Sequence, residues 1–383
     1  MKKINKPEIY LTVKSLSLLL LIPLAVFFIG CNKLNDPKAL KDFAQVNLVA
    51  NNDEYAAAHI DPQLLNAWGL AFSSGGTPWV NSTDGHVSAV YDKEGATVRP
   101  PVNIPSPGGA TGGSPTGIVF SASTTDFILS NGQPARFIFV GEDGILSGWN
   151  GAAGANALLI KNNAATSVYK GLALATNAGA NYLYAANFRT GKIDVWDKNF
   201  APVSMPFTDS HLPAGYSPFN IKAIGSWLYV MYAKVGPDGD DQAGLGNGYV
   251  DIFNTDGSLV KRFATKGPLN SPWGIALAPP SFFVDTDSDP ADKNSGNGSL
   301  KKEPNQENIV LIGNFGDGRI NAFRENGDFI GQLRSHGRAV VIDGLWALSF
   351  PPATATTIDP NRLYFTAGPD GEEDGLFGYL IKQ

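Results

Sequence analysis

The sequence predicts an all-β protein, a six-bladed β-propeller of four-stranded antiparallel blades closed by its N-terminal strand. Three observations carry that expectation. A turn pair, mostly Asp-Gly or Asn-Gly, recurs at Asp84-Gly85, Asp143-Gly144, Thr190-Gly191, Asn247-Gly248, Asp317-Gly318 and Asp374-Gly375. Each pair leads into a short alternating run with an aromatic, at Tyr91, Trp149, Trp196, Phe253, Phe323 and, one residue early, Tyr379. Such pairs between apolar runs signal hairpins, because tight turns need the positive φ that Gly, Asn and Asp tolerate, and their regular spacing makes the hairpins copies of one unit. The third observation is compositional: 43 glycines and 26 prolines against 17% charged residues suit many short strands and turns.

The first element precedes the propeller. Lys2, Lys3, Lys6 and Lys14 flank an apolar run from Leu16 to Ile29 that Pro23 interrupts. About 14 residues fall short of the roughly 20 that span a bilayer, so residues 1–30 read as an export signal. Phe28-Ile29-Gly30 then meets Cys31, the single cysteine of the chain, which excludes an intrachain disulfide framework. This stretch resembles the lipobox of bacterial lipoproteins. The resemblance implies a lipidated Cys31, a tether over residues 31–41, and a protein held outside the cytoplasm in the cell envelope, at the outer membrane or cell surface. Residues 42–383 remain for a single propeller domain, with 42–50 as the closing strand. Loss of four lysines and Glu8 with the signal takes the formal charge from −6 to about −9, which argues against binding a phosphate backbone.

The blades follow in order. Their innermost strands read as Trp68-Gly69-Leu70, Thr116-Gly117-Ile118, Lys170-Gly171-Leu172, Phe219-Asn220-Ile221, Trp273-Gly274-Ile275 and Trp346-Ala347-Leu348. Glycine at the crowded start of such a strand lets neighbouring backbones approach. Second strands follow, as in Phe137-Ile138-Phe139-Val140 and Tyr182-Leu183-Tyr184-Ala185, then the turn pair and the third strand. Fourth strands are legible at Pro101–Ile104 and Leu259–Phe263. The last unit ends after its third strand, and the alternating segment Phe43–Val49 can fill its outer position, leaving no open edge. Phrases such as Tyr184-Ala185-Ala186-Asn187-Phe188 running to Val195-Trp196-Asp197 resemble NHL-type repeats, and the mature chain resembles a family of secreted bacterial NHL-like propellers. The resemblance implies architecture and brings no activity with it.

Function is less legible. The second-to-third-strand turns and the starts of the innermost strands share one face, the usual ligand face of a propeller. Asn81, Asn187 and Asn314 stand four residues before the turn glycine, and Asn66, Asn220, Asn270, Asp343 and Glu142 fall near the same rim. They either ring one opening or satisfy turn backbone groups. Amide oxygens with a carboxylate such as Glu142 or Asp343 suit calcium. The Asp285, Asp287, Asp289 run imitates a calcium loop, but Pro290 and Gly296 stand where its glycine and glutamate belong, so it reads as a solvated insertion. His59, His86, His211 and His336 are too scattered for a transition-metal set, although His59 and His336 precede innermost strands and can face the channel as a general base. No nucleophile elbow, phosphate loop or cysteine knuckle occurs, and Gly108–Gly113 and Gly244–Gly248 read as flexible loops. The expectation is a lipid-anchored, monomeric binding or interaction scaffold. Its partners are the membrane and a protein, glycan or small molecule, with no nucleic acid. The alternative is a calcium-assisted hydrolase or lyase working in the central channel.

Overall fold

The computed structural model describes residues 40–284 and 308–383. The export signal, Cys31, most of the tether and the Asp285, Asp287 and Asp289 run lie outside the described residues. Among the described residues there is no α-helix, and the strands form six blade sheets, antiparallel except for one outermost strand, and two small two-stranded hairpins. From inside to outside, blade 1 holds Ala67–Phe72, Pro78–Ser82, Val87–Tyr91 and Thr97–Asn103, and blade 2 holds Pro115–Phe120, Phe137–Gly141, Ile145–Trp149 and Leu158–Asn162. Blade 3 is Tyr169–Asn177, Ala180–Asn187, Lys192–Asp197 and Pro202–Val203, and blade 4 is Tyr216–Ile224, Trp227–Lys234, Gly248–Asn254 and Leu259–Thr265. Blade 5 is Pro272–Ala278, Ile309–Asn314, Ile320–Arg324 and Phe329–Gln332, and blade 6 is Leu345–Ser349, Leu363–Ala367, Leu376–Lys382 and Phe43–Ala50.

The ring closes as the sequence predicts. Phe43–Ala50 runs antiparallel to the C-terminal strand, with Phe43 opposite Lys382 and Ala50 opposite Leu376. Burial holds it there: Phe43, Val49 and Ala50 are wholly buried, and the Phe43 ring packs on Phe282 at 4.8 Å. The sheet gains a fifth, outermost strand, His59–Ile60, parallel to Val49 and Ala50. Blades meet through apolar faces in which aromatics dominate, as where Trp79 of blade 1 stacks on Phe137 of blade 2 at 3.9 Å.

The innermost glycines do what their position predicts. A Cβ on Gly69 would stand 2.1 Å from the Thr116 carbonyl oxygen of blade 2, and one on Gly274 would stand 2.6 Å from that of Trp346 in blade 6. The turn glycines have a second reason beyond turn geometry. Gly144, Gly191 and Gly318 adopt positive φ, whereas in blade 1 it is His86 that does so, at 62°. Gly85 and Gly375 are needed for proximity, since a Cβ on either would lie about 2 Å from the carbonyl oxygen of Gln63 or Leu64, where the connection from blade 6 to blade 1 passes over them. Gly108–Gly113 is not a loose loop: Gly109–Gly112 pairs with Pro105–Ser106 as a small hairpin.

Candidate functional site at the channel mouth

The position before the glycine of the innermost strand, or before Asn220 in blade 4 and Ala347 in blade 6, builds the top of the channel. Its occupants, from blade 1 to blade 6, are Trp68, Thr116, Lys170, Phe219, Trp273 and Trp346, all buried. Trp68 and Trp346 stack at 3.6 Å, Phe315 covers the far side of Trp346 at 3.8 Å, and Trp273 meets both tryptophans edge-on at 6.4 and 5.9 Å. These rings close the channel. Beneath them the axis holds a cavity of about 20 Å³ lined by Leu70, Ile118, Leu172, Ile221, Ile275 and Leu348, room for a single water.

Lys170 is the one charged member of that ring. Its side chain is 3% exposed, and the ammonium lies 5.1 Å above the face of Trp68 and 5.9 Å from Phe188. Glu142, from the blade 2 turn, and Asp240, from the long blade 4 connection, both pair with Nζ, Asp240 at 2.9 Å. Burial alone would push this ammonium down, but the two carboxylates outweigh burial and hold it above the ordinary lysine value. From blade 6, Glu372 accepts a 2.8 Å hydrogen bond from Asn66 Nδ2, and Asn66 Oδ1 accepts one from Trp346 Nε1, also at 2.8 Å. Burial lifts the Glu372 carboxyl to about 7, with the charges of Glu142 and Asp240 adding and that of Lys170 opposing. Asp241 is lifted to about 6, again chiefly by burial, and its Oδ2 has no partner. The Trp68 indole nitrogen is likewise buried without one. The mouth therefore collects carboxylates from blades 2, 4 and 6 around one cation, with a proton-exchanging group poised near neutrality.

Of the residues singled out in the sequence, Glu142 and Asn66 belong to this cluster. Asp343 sits on the same rim, exposed, with its Oδ2 accepting the Asp370 N–H at 3.2 Å. The aligned asparagines face inward instead. Asn81 Nδ2 donates to the Thr116 carbonyl at 3.1 Å, Asn314 Nδ2 to that of Pro268 at 2.8 Å, and Asn220 Nδ2 to that of Trp273 at 2.8 Å. Asn187 donates to Ser167 Oγ at 3.0 Å and to Asp194 at 2.9 Å, and Asn270 Oδ1 accepts the Gly244 N–H at 2.6 Å. Their amide nitrogens tie turns and neighbouring blades together, while Asn81 Oδ1 and Asn314 Oδ1 are buried without a hydrogen-bond partner. Among the described residues no three His, Cys, Asp or Glu side chains form a metal-holding group, and a lysine already supplies the positive charge at the centre of the acidic cluster. The histidines stand apart from the channel: His59 lies on the outermost strand of blade 6, and His336 is exposed in the hairpin of Arg334–Ser335 with Arg338–Ala339. Neither takes the channel-facing position open to it, since each lies in, or at the turn of, a short strand pairing formed before the inner strand begins.

No family model matches the chain. It is 35% identical over 353 residues to Uncharacterized protein R648 of Acanthamoeba polyphaga mimivirus, covering 88% of this chain and 80% of the relative. Uncharacterized protein L690 of the same virus is 34% identical over 357 residues, covering 88% and 86%. The chain belongs to the family of R648 and L690. Among solved structures, a gluconolactonase from Xanthomonas campestris aligns at 14% identity and a TM-score of 0.47, covering 83% of this chain and 86% of its own. A streptogramin B lyase aligns at 11% identity and a TM-score of 0.47, covering 89% and 97%.

Proposed function

We propose that the protein is a binding propeller, anchored by lipid on Cys31 outside the cytoplasm of a bacterial cell, whose channel mouth recognises an amine-bearing ligand. The convergence of Glu142, Asp240 and Glu372 from three blades upon Lys170 carries this reading. One buried cation is shared among more carboxylates than it can neutralise, and Asp343 lies exposed on the same rim, so the rim attracts positive charge. The aromatic layer supports recognition at the mouth rather than entry of a substrate into the channel, because the space below holds about one water. Anchoring is motivated by Phe28-Ile29-Gly30-Cys31. The protein is treated as a monomer in this proposal, with its N-terminal tether leading to the membrane.

A second reading is favoured by one observation. Glu372, titrating near 7 beside Lys170, has the environment of a general base, which fits a hydrolase or lyase acting at the mouth. Titration calorimetry with spermidine and with a short oligolysine peptide separates the two readings. The binding propeller predicts saturable uptake that Glu142→Gln with Asp240→Asn abolishes. Turnover of a lactone or ester panel that stops in Glu372→Gln would replace the binding reading with the catalytic one.

A further inference from the structure

A groove lies away from the channel mouth, on the outside of blade 3. Blade 3 has the shortest fourth strand of the ring, the two residues Pro202–Val203, against four to eight in the other blades. Val195 pairs with Val203 and Trp196 with Pro202, so the next outward-facing pair in register would set Met205 opposite Ile193. That pair does not form. Met205, Pro206 and Phe207 turn onto blade 4, packing against Gly257, and the Phe207 ring lies 5.3 Å from that of Phe253 and 5.8 Å from that of Tyr184. Asp209 then fixes the diversion by pairing with Arg262 of the blade 4 outer strand. Pro206 has no N–H to give a ladder, which removes any return to blade 3.

The diversion leaves a groove of about 820 Å³ over the third strand, whose lining includes Ile193, Val195, Val203, Met205 and Phe207. Strand alternation turns the Ile193 N–H and C=O toward this groove. Asp197 N–H and C=O, four residues on, bond outward to Ala201 and Phe200, and residues two apart share a direction. A segment of sheet edge is thus open on a ring that covers its other edges with longer strands. The acidic groups of the lining are already engaged, Asp209 sharing Arg262 with Asp251 and Asp194 accepting from Tyr169 Oη at 3.0 Å and Asn187 Nδ2 at 2.9 Å, while Lys161 and Lys192 have no ion-pair partner among the described residues.

We propose that this groove docks an extended segment of a partner polypeptide, which adds to blade 3 as the missing part of its fourth strand and sets an acidic side chain against Lys161 and Lys192. Main-chain bonds to Ile193 give affinity, the apolar wall of Val203, Met205 and Phe207 takes an alternate side chain, and the lysines select for acid. This goes beyond the channel-mouth reading and does not depend on it. Two fluorescent decapeptide series, with valine at alternate positions and glutamate or lysine between, are titrated into the purified protein by anisotropy. The glutamate series is to bind at least tenfold more tightly, and Lys161→Glu with Lys192→Glu, both on the surface, is to reverse the order. Hydrogen exchange at the Ile193 amide is to slow at least tenfold in the complex, and Glu142→Gln with Asp240→Asn is to change none of this. Equal affinity for both series, or a preference that survives the charge reversal, overturns the proposal. So does binding that leaves Ile193 exchange unchanged, which assigns the groove to side-chain contacts with a non-strand ligand.

Discussion

Replacing Lys170 by methionine tests the channel-mouth cluster at its centre. Methionine keeps most of the apolar stem against Trp68 and Phe188 and deletes only the charge. Opposite charges near 3 Å at an effective dielectric of about 20 attract by roughly 5 kcal/mol per pair, and the desolvation of the ammonium offsets much of that. Removing one member of a buried pair costs about 3–5 kcal/mol, because the other is left uncompensated. Here Glu142 and Asp240 are 30% and 56% exposed and can rehydrate, which trims the cost. The lost contact with the Trp68 face adds about 1 kcal/mol. A net loss of about 3 kcal/mol is expected from urea unfolding at pH 7. The loss should persist in 0.5 M NaCl, since a buried pair is weakly screened. In the same variant Glu372 should titrate higher than in the parent, because the Lys170 charge lowers it. A cost below about 0.5 kcal/mol, or one that salt erases, would show the cluster to be an ordinary surface pair and refute the reasoning.

Other outcomes follow from the same geometry. Glu372 has a folded pKa near 7, raised from 4.5, so its contribution to stability is complete below pH 4.5 and is lost as pH rises through 7. Glu372→Gln should therefore melt higher than the parent at pH 8, by about 1–2 kcal/mol after allowance for solvent, and match it at pH 4; a lower melting point at pH 8 would contradict this. Gly69→Ala drives a Cβ to 2.1 Å from the Thr116 carbonyl oxygen and should cost about 3 kcal/mol, whereas Gly151→Ala, with nothing within 4 Å, should be near neutral by denaturant titration. Trp346→Phe deletes the hydrogen bond to Asn66, while the Trp68 indole nitrogen makes none, so Trp346→Phe should exceed Trp68→Phe in cost by about 1 kcal/mol. Deleting residues 42–50 removes the outer strand of blade 6 with buried Phe43, Leu48 and Val49, and should abolish cooperative unfolding by calorimetry.

Blade number, strand order and ring closure were legible because each rests on local signals: the turn pairs, the period of two, and the Phe43–Val49 run with a vacancy to fill. The truncated fourth strand of blade 3 was not, although Pro202 and Pro206 mark it, because the diversion depends on Phe253 and Arg262 more than 45 residues later in sequence. The site was half legible. Lys170 stands out in the aligned phrases as the single charge among Trp, Thr and Phe, and that oddity was the available signal. Asp240 and Glu372 carried none, since they lie in connections of two different blades that only ring closure brings together. The asparagines share a turn position but not a partner: Asn81 donates to the Thr116 carbonyl, Asn187 to the Ser167 and Asp194 side chains, and Asn314 to the Pro268 carbonyl, contacts that spacing alone does not specify.

Calorimetric titration of spermidine into the purified protein, beside Glu142→Gln with Asp240→Asn, tests the channel-mouth reading most directly. The account predicts saturable one-site binding in the parent and at least a tenfold loss in the double variant, measured well below the lowered melting temperature that an unpaired buried Lys170 gives it. Equal binding by both proteins, or none by either, would contradict it.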